Sequence, residues 1–346
     1  MRAVVYEGVG KVAVAEVADP ELVHPDDAIV RVRLAAICGS DLHFLHGKAP
    51  LEPGEPIGHE AVGVVEAVGP DVRRFRTGDR VAVSFVIACG ACWFCGRGQT
   101  QLCEDFRNLG AGIFGGGLGG AQAELLRVPH ADVNLLALPE ELEDERAIFL
   151  GDVLTTGVYA AGVAGVEPGE AVAVVGAGPV GFFAAQAARA RGADPVLVLD
   201  TLPDRLALAE RVGAEPVDVS RRSPQMAVAR RTGDRGADVV IEAVGHPSAF
   251  ETALDIVRRG GRVAVVGMYA GEQVSAPLGV WWARALDVRF AGICPVHAWW
   301  ERAMEDLRAG RIDPTPLVSH RLPLEEAPKG YELFDARRAT KVLLVP

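Results

Sequence analysis

Gly176-Ala177-Gly178-Pro179-Val180-Gly181 stands where an apolar run, Ala171–Val175, gives way to a segment with helical spacing of its apolar residues, 179–191. The first glycine of such a junction permits the tight turn, the second lets backbone approach a pyrophosphate, and the third lets helix and strand pack closely. The rhythm then repeats: Pro195–Asp200 followed by 204–212, Pro216–Val219 by 223–232, Asp238–Ala243 by 248–258, then Arg262–Val266 and Val288–Ile293. Six strands with intervening helices predict an α/β unit built on a doubly wound parallel sheet.

The region before it reads differently. Short β-branched runs broken by Gly, Pro and Asp (Ala3–Tyr6, Ala28–Leu34, Ala61–Val68, Arg80–Phe85, Ala123–Val128) predict an all-β, barrel-like unit. After Cys294 a helical segment, Ala298–Ala309, and a closing strand, Lys341–Val345, do not extend the β/α alternation, so the tail is expected to return to the first unit. The expected division is 1–152 with 294–346, and 153–293. At 346 residues, 49% hydrophobic and 23% charged, the chain has apolar surface enough for two cores.

Thirty-five basic against 46 acidic side chains give a net charge of −11, and no Lys/Arg run marks a phosphate-tracking surface, so nucleic acid is not an expected partner. Met1–Lys11 has no apolar core of a signal peptide, which predicts a cytoplasmic protein. Ala171–Ala185 is apolar throughout, but it is shorter than the roughly 20 residues of a membrane span and is interrupted by glycines and Pro179. No membrane partner is expected.

Six cysteines without a secretory signal argue for metal rather than disulfides, and four of them cluster as Cys89-x2-Cys92-x2-Cys95-x7-Cys103. Four soft thiolates in one loop suit tetrahedral zinc and leave no position open for substrate, so this site is predicted to be structural. Asp200 ends the second strand of the parallel sheet, where a carboxylate can accept hydrogen bonds from the adenosine ribose and would repel a 2′-phosphate. Neither Thr201 nor Leu202 offers a basic partner, which favours NAD over NADP; Arg205, one helical turn on, is a candidate contact on the adenosine side.

Gly58-His59-Glu60-Ala61-Val62-Gly63 with Gly69 and Val72, Gly78-Asp79-Arg80-Val81, the four-cysteine loop and the Gly176–Gly181 fingerprint, in this order, resemble the zinc-dependent medium-chain alcohol dehydrogenase family over essentially the whole chain. The resemblance implies a GroES-like β-barrel catalytic domain beside a Rossmann domain, and two zinc ions per chain with NAD. By matching motif it implies that Cys38, His59 and Asp152 bind a catalytic zinc, that Glu60 is a neighbouring carboxylate able to bind the metal when solvent exchanges, and that Asp41 orients His59 from behind. It makes Ser40 and His43 a proton relay, with the nicotinamide ribose between them, and places Val266, Gly267 and Met268 beside the nicotinamide.

The activity so implied is reversible hydride transfer between a primary or secondary alcohol and NAD, giving an aldehyde or ketone, in a homodimer or homotetramer. Polyol, threonine and formaldehyde dehydrogenases share these motifs and remain alternatives, as does a catalytically silent NAD-binding protein with a single zinc. Phe85, Trp93, Leu109, Phe114 and Ile293 are candidates to line an apolar pocket, and Gly110–Gly120 to form a mobile loop. Cys294 is expected to be a buried thiol.

Overall fold

A computed structural model describes residues 1–269 and 271–346, with the side chains of Ile113 and Phe114 left out. Its strands, in chain order, are β1 (Arg2–Gly8), β2 (Lys11–Glu16), β3 (Ala28–Ile37), β4 (Glu60–Val68), β5 (Arg80–Val83), β6 (Val86–Ile87), β7 (Arg107–Asn108), β8 (Leu125–Val128), β9 (Leu135–Ala137), β10 (Val172–Val175), β11 (Val196–Asp200), β12 (Glu215–Asp218), β13 (Ala237–Glu242), β14 (Val257–Val265), β15 (Asp287–Phe290), β16 (His320–Pro323) and β17 (Val342–Val345). Contacts divide the chain into two compact units, Met1–Asp152 with Pro295–Glu301 and Leu317–Pro346, and Val153–Cys294 with Arg302–Pro316.

In the first unit, the sheet runs β16-β17-β3-β4-β5-β9, with β8 pairing β3 off this path. β3 alternates buried apolar residues with the exposed Arg31 and Arg33 until Leu34, and is then buried through Ile37. That change marks where the strand passes from a half-solvated surface into the interior. Its register fixes what lies beside it: Ala36 pairs with Glu60 on β4, and Ile37 with Val342 on β17. The ends of three neighbouring strands therefore bring Cys38, His59-Glu60 and Lys341 to one edge of the sheet.

The second unit holds six parallel strands in the order β12-β11-β10-β13-β14-β15, with helices in the crossovers, which is the doubly wound sheet the alternation predicts. Helix 179–190 begins directly after the glycine turn, with Gly178 as N-cap and Pro179 in its first turn. Gly176 has φ +98°, and a Cβ on Gly181 would lie 1.9 Å from the Gly176 carbonyl oxygen, so both positions require glycine.

Two features depart from expectation. Residues 302–316 belong to the second unit: Gln186 on helix 179–190 donates to the Asp313 carbonyl (3.2 Å) and accepts from its N–H (2.8 Å), so the expected return at 294 is interrupted by this excursion. Val153–Val163 is a helix that the periodicity missed, buried on nearly all sides, with Gly157 against Phe183. A helix apolar all round shows no amphipathic period. Among the described residues no helix is long and apolar enough to cross a membrane.

Candidate metal centres and dinucleotide site

Cys38 follows β3, His59 and Glu60 open β4, and Asp152 follows a 3-10 turn, Ile148–Gly151, that backs onto β5. A Cβ on Gly151 would lie 2.1 Å from the Val83 carbonyl oxygen, so glycine lets this turn approach the sheet. The Trp300 indole N–H donates to the Leu150 carbonyl (2.9 Å) and fixes the turn from its other side. One donor atom from each of Cys38, His59, Glu60 and Asp152 lies within 4.8 Å of the others, and all four residues are buried.

The separations fit a small cation. Cys38 Sγ lies 3.5 Å and His59 Nε2 3.2 Å from Asp152 Oδ2. Tetrahedral zinc, with bonds of about 2.0–2.3 Å, spaces its ligands by about 3.3–3.8 Å. His59 Nδ1 is 3.1 Å from Asp41 Oδ1, which selects the tautomer with Nδ1–H and leaves the Nε2 lone pair free to coordinate. Asp41 is held in turn: its Oδ2 accepts from the Cys38 N–H (2.9 Å) and from Gln122 Nε2 (3.2 Å), and the Tyr331 hydroxyl donates to Gln122 Oε1 (3.0 Å). Gln122 and Tyr331 have no sequence motif, and only their depth reveals them.

Burial pushes the Cys38 thiol up, and Asp152 adds to it. Burial lowers the His59 pKa, but Asp41, Cys38 and Asp152 outweigh it and hold the imidazole well above its ordinary value. Burial would raise Asp152, yet His59 keeps it below the usual carboxylate range. A dication held by these residues would displace protons from a cluster already rich in charge. Glu60 is pushed up to about 7 by burial, against the pull of Lys341, whose Nζ is 2.5 Å from Glu60 Oε2 with both side chains wholly buried.

Ser40 Oγ lies 3.2 Å from His59 Nε2, beside the cluster. His43 is three residues on, in the short helix Asp41–Leu45, partly buried, with its N–H donating to the Ser40 carbonyl (3.0 Å). Of the pocket candidates, Phe85 faces the cluster, its ring centroid 6.0 Å from that of His59, and Leu109 is buried. Trp93 does not: it is 56% exposed and covered by the Arg97 guanidinium 3.7 Å from its ring centroid, a surface stack within the cysteine loop. Ile293 is a little under half-exposed in the second unit, and Phe114 lies outside the described side chains. Within the 110–120 stretch Ala111 and Leu118 are buried.

Cys89, Cys92, Cys95 and Cys103 also converge within 4.8 Å, all as free thiols. Cys92 Sγ is 4.0 Å from Cys103 Sγ, close to the edge of a zinc–thiolate tetrahedron. Backbone N–H groups of Cys95 and Glu104 pull the Cys92 pKa down to about 6, whereas burial raises Cys95 and Cys103. Thr100, between the third and fourth cysteines, meets His297 Nδ1 at 2.8 Å, and His297 Nε2 meets Asn134 Oδ1 at 2.9 Å, so a partly buried imidazole ties the loop to the unit. The fold clusters neither Cys294 with these thiols nor with Cys38; it is buried in the second unit.

In the second unit the Asp200 carboxylate accepts from the N–H groups of Ala177 (2.8 Å), Thr201 (2.7 Å) and Leu202 (2.9 Å), which locks the end of β11 to the glycine turn. Arg205 Nη1 is 3.9 Å from Asp200 Oδ2, and Gly178 has no neighbour closer than this arginine where a side chain would stand. Val266 and Gly267 donate to the Glu242 carbonyl (2.9 and 3.1 Å), and the Glu242 side chain accepts from Val244 and Gly245 (2.8 and 2.9 Å). Glu242, missed in the sequence, thus joins the loops after β13 and β14; Met268 beside them is half-exposed.

Residues 24–140 match the model of the alcohol dehydrogenase GroES-like domain and residues 179–307 that of the zinc-binding dehydrogenases. An uncharacterized zinc-type alcohol dehydrogenase-like protein of Bacillus subtilis is 38% identical over 100% of both chains. An alcohol dehydrogenase from Thermus sp. ATN1 is 48% identical with TM-score 0.96, covering 100% of this chain and 99% of that one. A putative zinc-binding dehydrogenase from Sinorhizobium meliloti, solved bound to NADP, is 32% identical with TM-score 0.87, covering 100% and 99%. With a GroES-like and a nucleotide-binding domain in matching order and two clusters of metal-ligand type, the chain belongs to the zinc-dependent medium-chain alcohol dehydrogenase family and is an oxidoreductase of alcohols.

Proposed function

We propose that the protein transfers a hydride between a primary or secondary alcohol and NAD, with a zinc ion held by Cys38, His59 and Asp152 and a second, structural zinc held by Cys89, Cys92, Cys95 and Cys103. The observation that carries this reading is the buried cluster itself: three donors at ligand spacing, with His59 Nδ1 tied to Asp41 so that Nε2 points its lone pair inward. Bound there, zinc supplies Lewis acidity to an alcohol hydroxyl, and nicotinamide accepts the hydride.

The rest falls to the chain. Ser40, 3.2 Å from His59 Nε2, takes the hydroxyl proton and His43 carries it outward, which a buried site needs because water cannot collect it directly. Glu60 is the carboxylate that stands in when solvent exchanges. Backbone N–H groups of Gly176, Gly178, Val180 and Gly181 face the pyrophosphate, with Pro179, which has no N–H to give, opening the helix behind them, and Val266, Gly267 and Met268 flank the nicotinamide. Asp200 spends three of about four lone-pair directions on backbone N–H groups, leaving room for a ribose hydroxyl and an unfavourable charge for a 2′-phosphate. Arg205 closes the adenosine side.

A panel of aliphatic and aromatic alcohols, sorbitol, threonine and formaldehyde, each with NAD and with NADP, tests the reading. The expected result is NADH formation from simple alcohols, with NAD preferred about tenfold or more, the effect of one unfavourable contact of about 1.4 kcal/mol. Faster turnover with NADP overturns the cofactor assignment. One zinc per chain and no turnover supports the silent NAD-binding alternative.

The protein functions as a homo-oligomer in this reading. β15 is an edge strand of the parallel sheet, and exposed apolar side chains, Leu278, Val280, Trp282 and Phe290, lie on it and on the helix Leu278–Ala283 before it. Sedimentation at a monomer's mass would refute this.

A further inference from the structure

Lys341 has no place in the reading above, yet it is wholly buried beside the metal-ligand cluster. Its backbone is clamped by Ser319: the Ser319 N–H and Oγ both donate to the Lys341 carbonyl at 3.0 Å, and the Lys341 N–H returns to Oγ at 3.3 Å. The next residue, Val342, pairs with Ile37, which precedes Cys38. From this fixed base the ammonium reaches Glu60 Oε2 at 2.5 Å, with the Phe149 ring centroid 5.9 Å away. The contact is an ion pair without directed hydrogen-bond geometry. Among the described residues neither Glu60 oxygen nor Lys341 Nζ has a hydrogen-bond partner.

A lone ion pair in so dry a place is weak glue, because apolar side chains of similar volume would hold the fold as well. Its charges, however, match what a metal needs. A dication with the Cys38 thiolate and the Asp152 carboxylate sums to zero, and Glu60 with Lys341 sums to zero separately. Without Lys341, the Glu60 carboxylate has one strong attractor within reach, the metal, since its donor atom already lies within 4.8 Å of the other three.

We propose that Lys341 is a positioning residue that holds the Glu60 carboxylate out of the metal's coordination sphere and so keeps a fourth position open for substrate. The inference rests on Cys38, His59 and Asp152 being the metal's ligands. In the resting protein Glu60 is a reserve ligand restrained by an ion pair, and it reaches the metal only when that pair opens.

The test uses cobalt(II)-exchanged full-length protein, with imidazole as the probe of the open position. Subtracting the spectrum of Cys38→Ser isolates the cobalt of this cluster from that of the cysteine loop. Lys341→Met is expected to change the visible cobalt bands and to weaken imidazole binding about tenfold or more, because a tethered carboxylate competes at millimolar or higher effective concentration. Lys341→Met combined with Glu60→Gln restores both readouts, and Lys341→Arg keeps both near wild type. A purely structural lysine would alter stability and leave bands and imidazole affinity as they were, which overturns the proposal.

Should Lys341→Met not fold, Glu60→Gln alone decides. An unchanged resting cobalt spectrum supports a carboxylate held away from the metal, and a changed one shows Glu60 already bound and overturns it. If Cys38→Ser loses no cobalt, the ligand assignment itself has failed, a result separate from any behaviour of Lys341.

Discussion

The cysteine loop and the Cys38 cluster both gather four donors within 4.8 Å, but they do so by opposite routes. The loop draws all four from residues 89–103, three of them partly exposed, within one short stretch of chain. The other cluster spans residues 38–152, is buried throughout, and depends on strand register and on a turn that only glycine lets approach β5. The local set is four soft thiolates, enough by themselves to complete a tetrahedral coordination. The dispersed set mixes hard and soft donors, is backed by Asp41, Gln122 and Tyr331, and has one of its carboxylates, Glu60, ion-paired with Lys341. Closed coordination suits a staple, whereas an arrangement kept incomplete suits chemistry.

Crossed substitutions break this contrast most sharply. Cys38→Ser is expected to lower kcat/KM roughly a thousandfold, about 4 kcal/mol of lost charge stabilisation, with melting temperature little changed. Cys103→Ser should do the reverse, lowering the apparent melting temperature by about 10 °C or more while folded molecules keep most of their activity. Metal analysis with calorimetry and initial rates reads both; a Cys103→Ser enzyme that is stable but inactive would erase the distinction.

A smaller effect sharpens it through pH. Burial holds the His297 pKa at about 4, below the unfolded value, so the unfolded chain binds more protons as pH falls. Stability from His297 is therefore full above pH ~6.5 and is lost progressively toward pH ~4, by roughly 3 kcal/mol. His297→Gln should flatten unfolding free energy against pH in that window. Because His297 holds Thr100, release of the loop's metal should follow the same curve while the Cys38 site lags. An unchanged slope in the variant would remove His297 from this account.

Much of the second unit was legible because strands and crossover helices alternate in hydrophobic period, and the glycine turn marks where they begin. Val153–Val163 escaped because a helix apolar on every side has no period to read. The cysteine loop was legible from spacing alone. Cys38, His59 and Asp152 were united only by resemblance, since nothing local reports that Ile37 and Glu60 end on adjacent strands. Trp93 was misread as pocket lining because an aromatic beside metal ligands looks the same in sequence whether it faces inward or stacks under an arginine. Lys341 and Glu242 left a usable sign: each is a charge at the end of an otherwise apolar run, Val342–Val345 and Val239–Ile241, and a charge placed there must find a partner.

The clamp of Ser319 on Lys341 also sets an order of events during synthesis. A growing chain exposes Cys38, His59, Glu60 and Asp152 long before residue 341 is made, and domains begin to fold as they emerge. Pairing of β17 with β3 is what sets the ammonium beside Glu60, so on the proposal above the carboxylate is restrained only once that strand has docked.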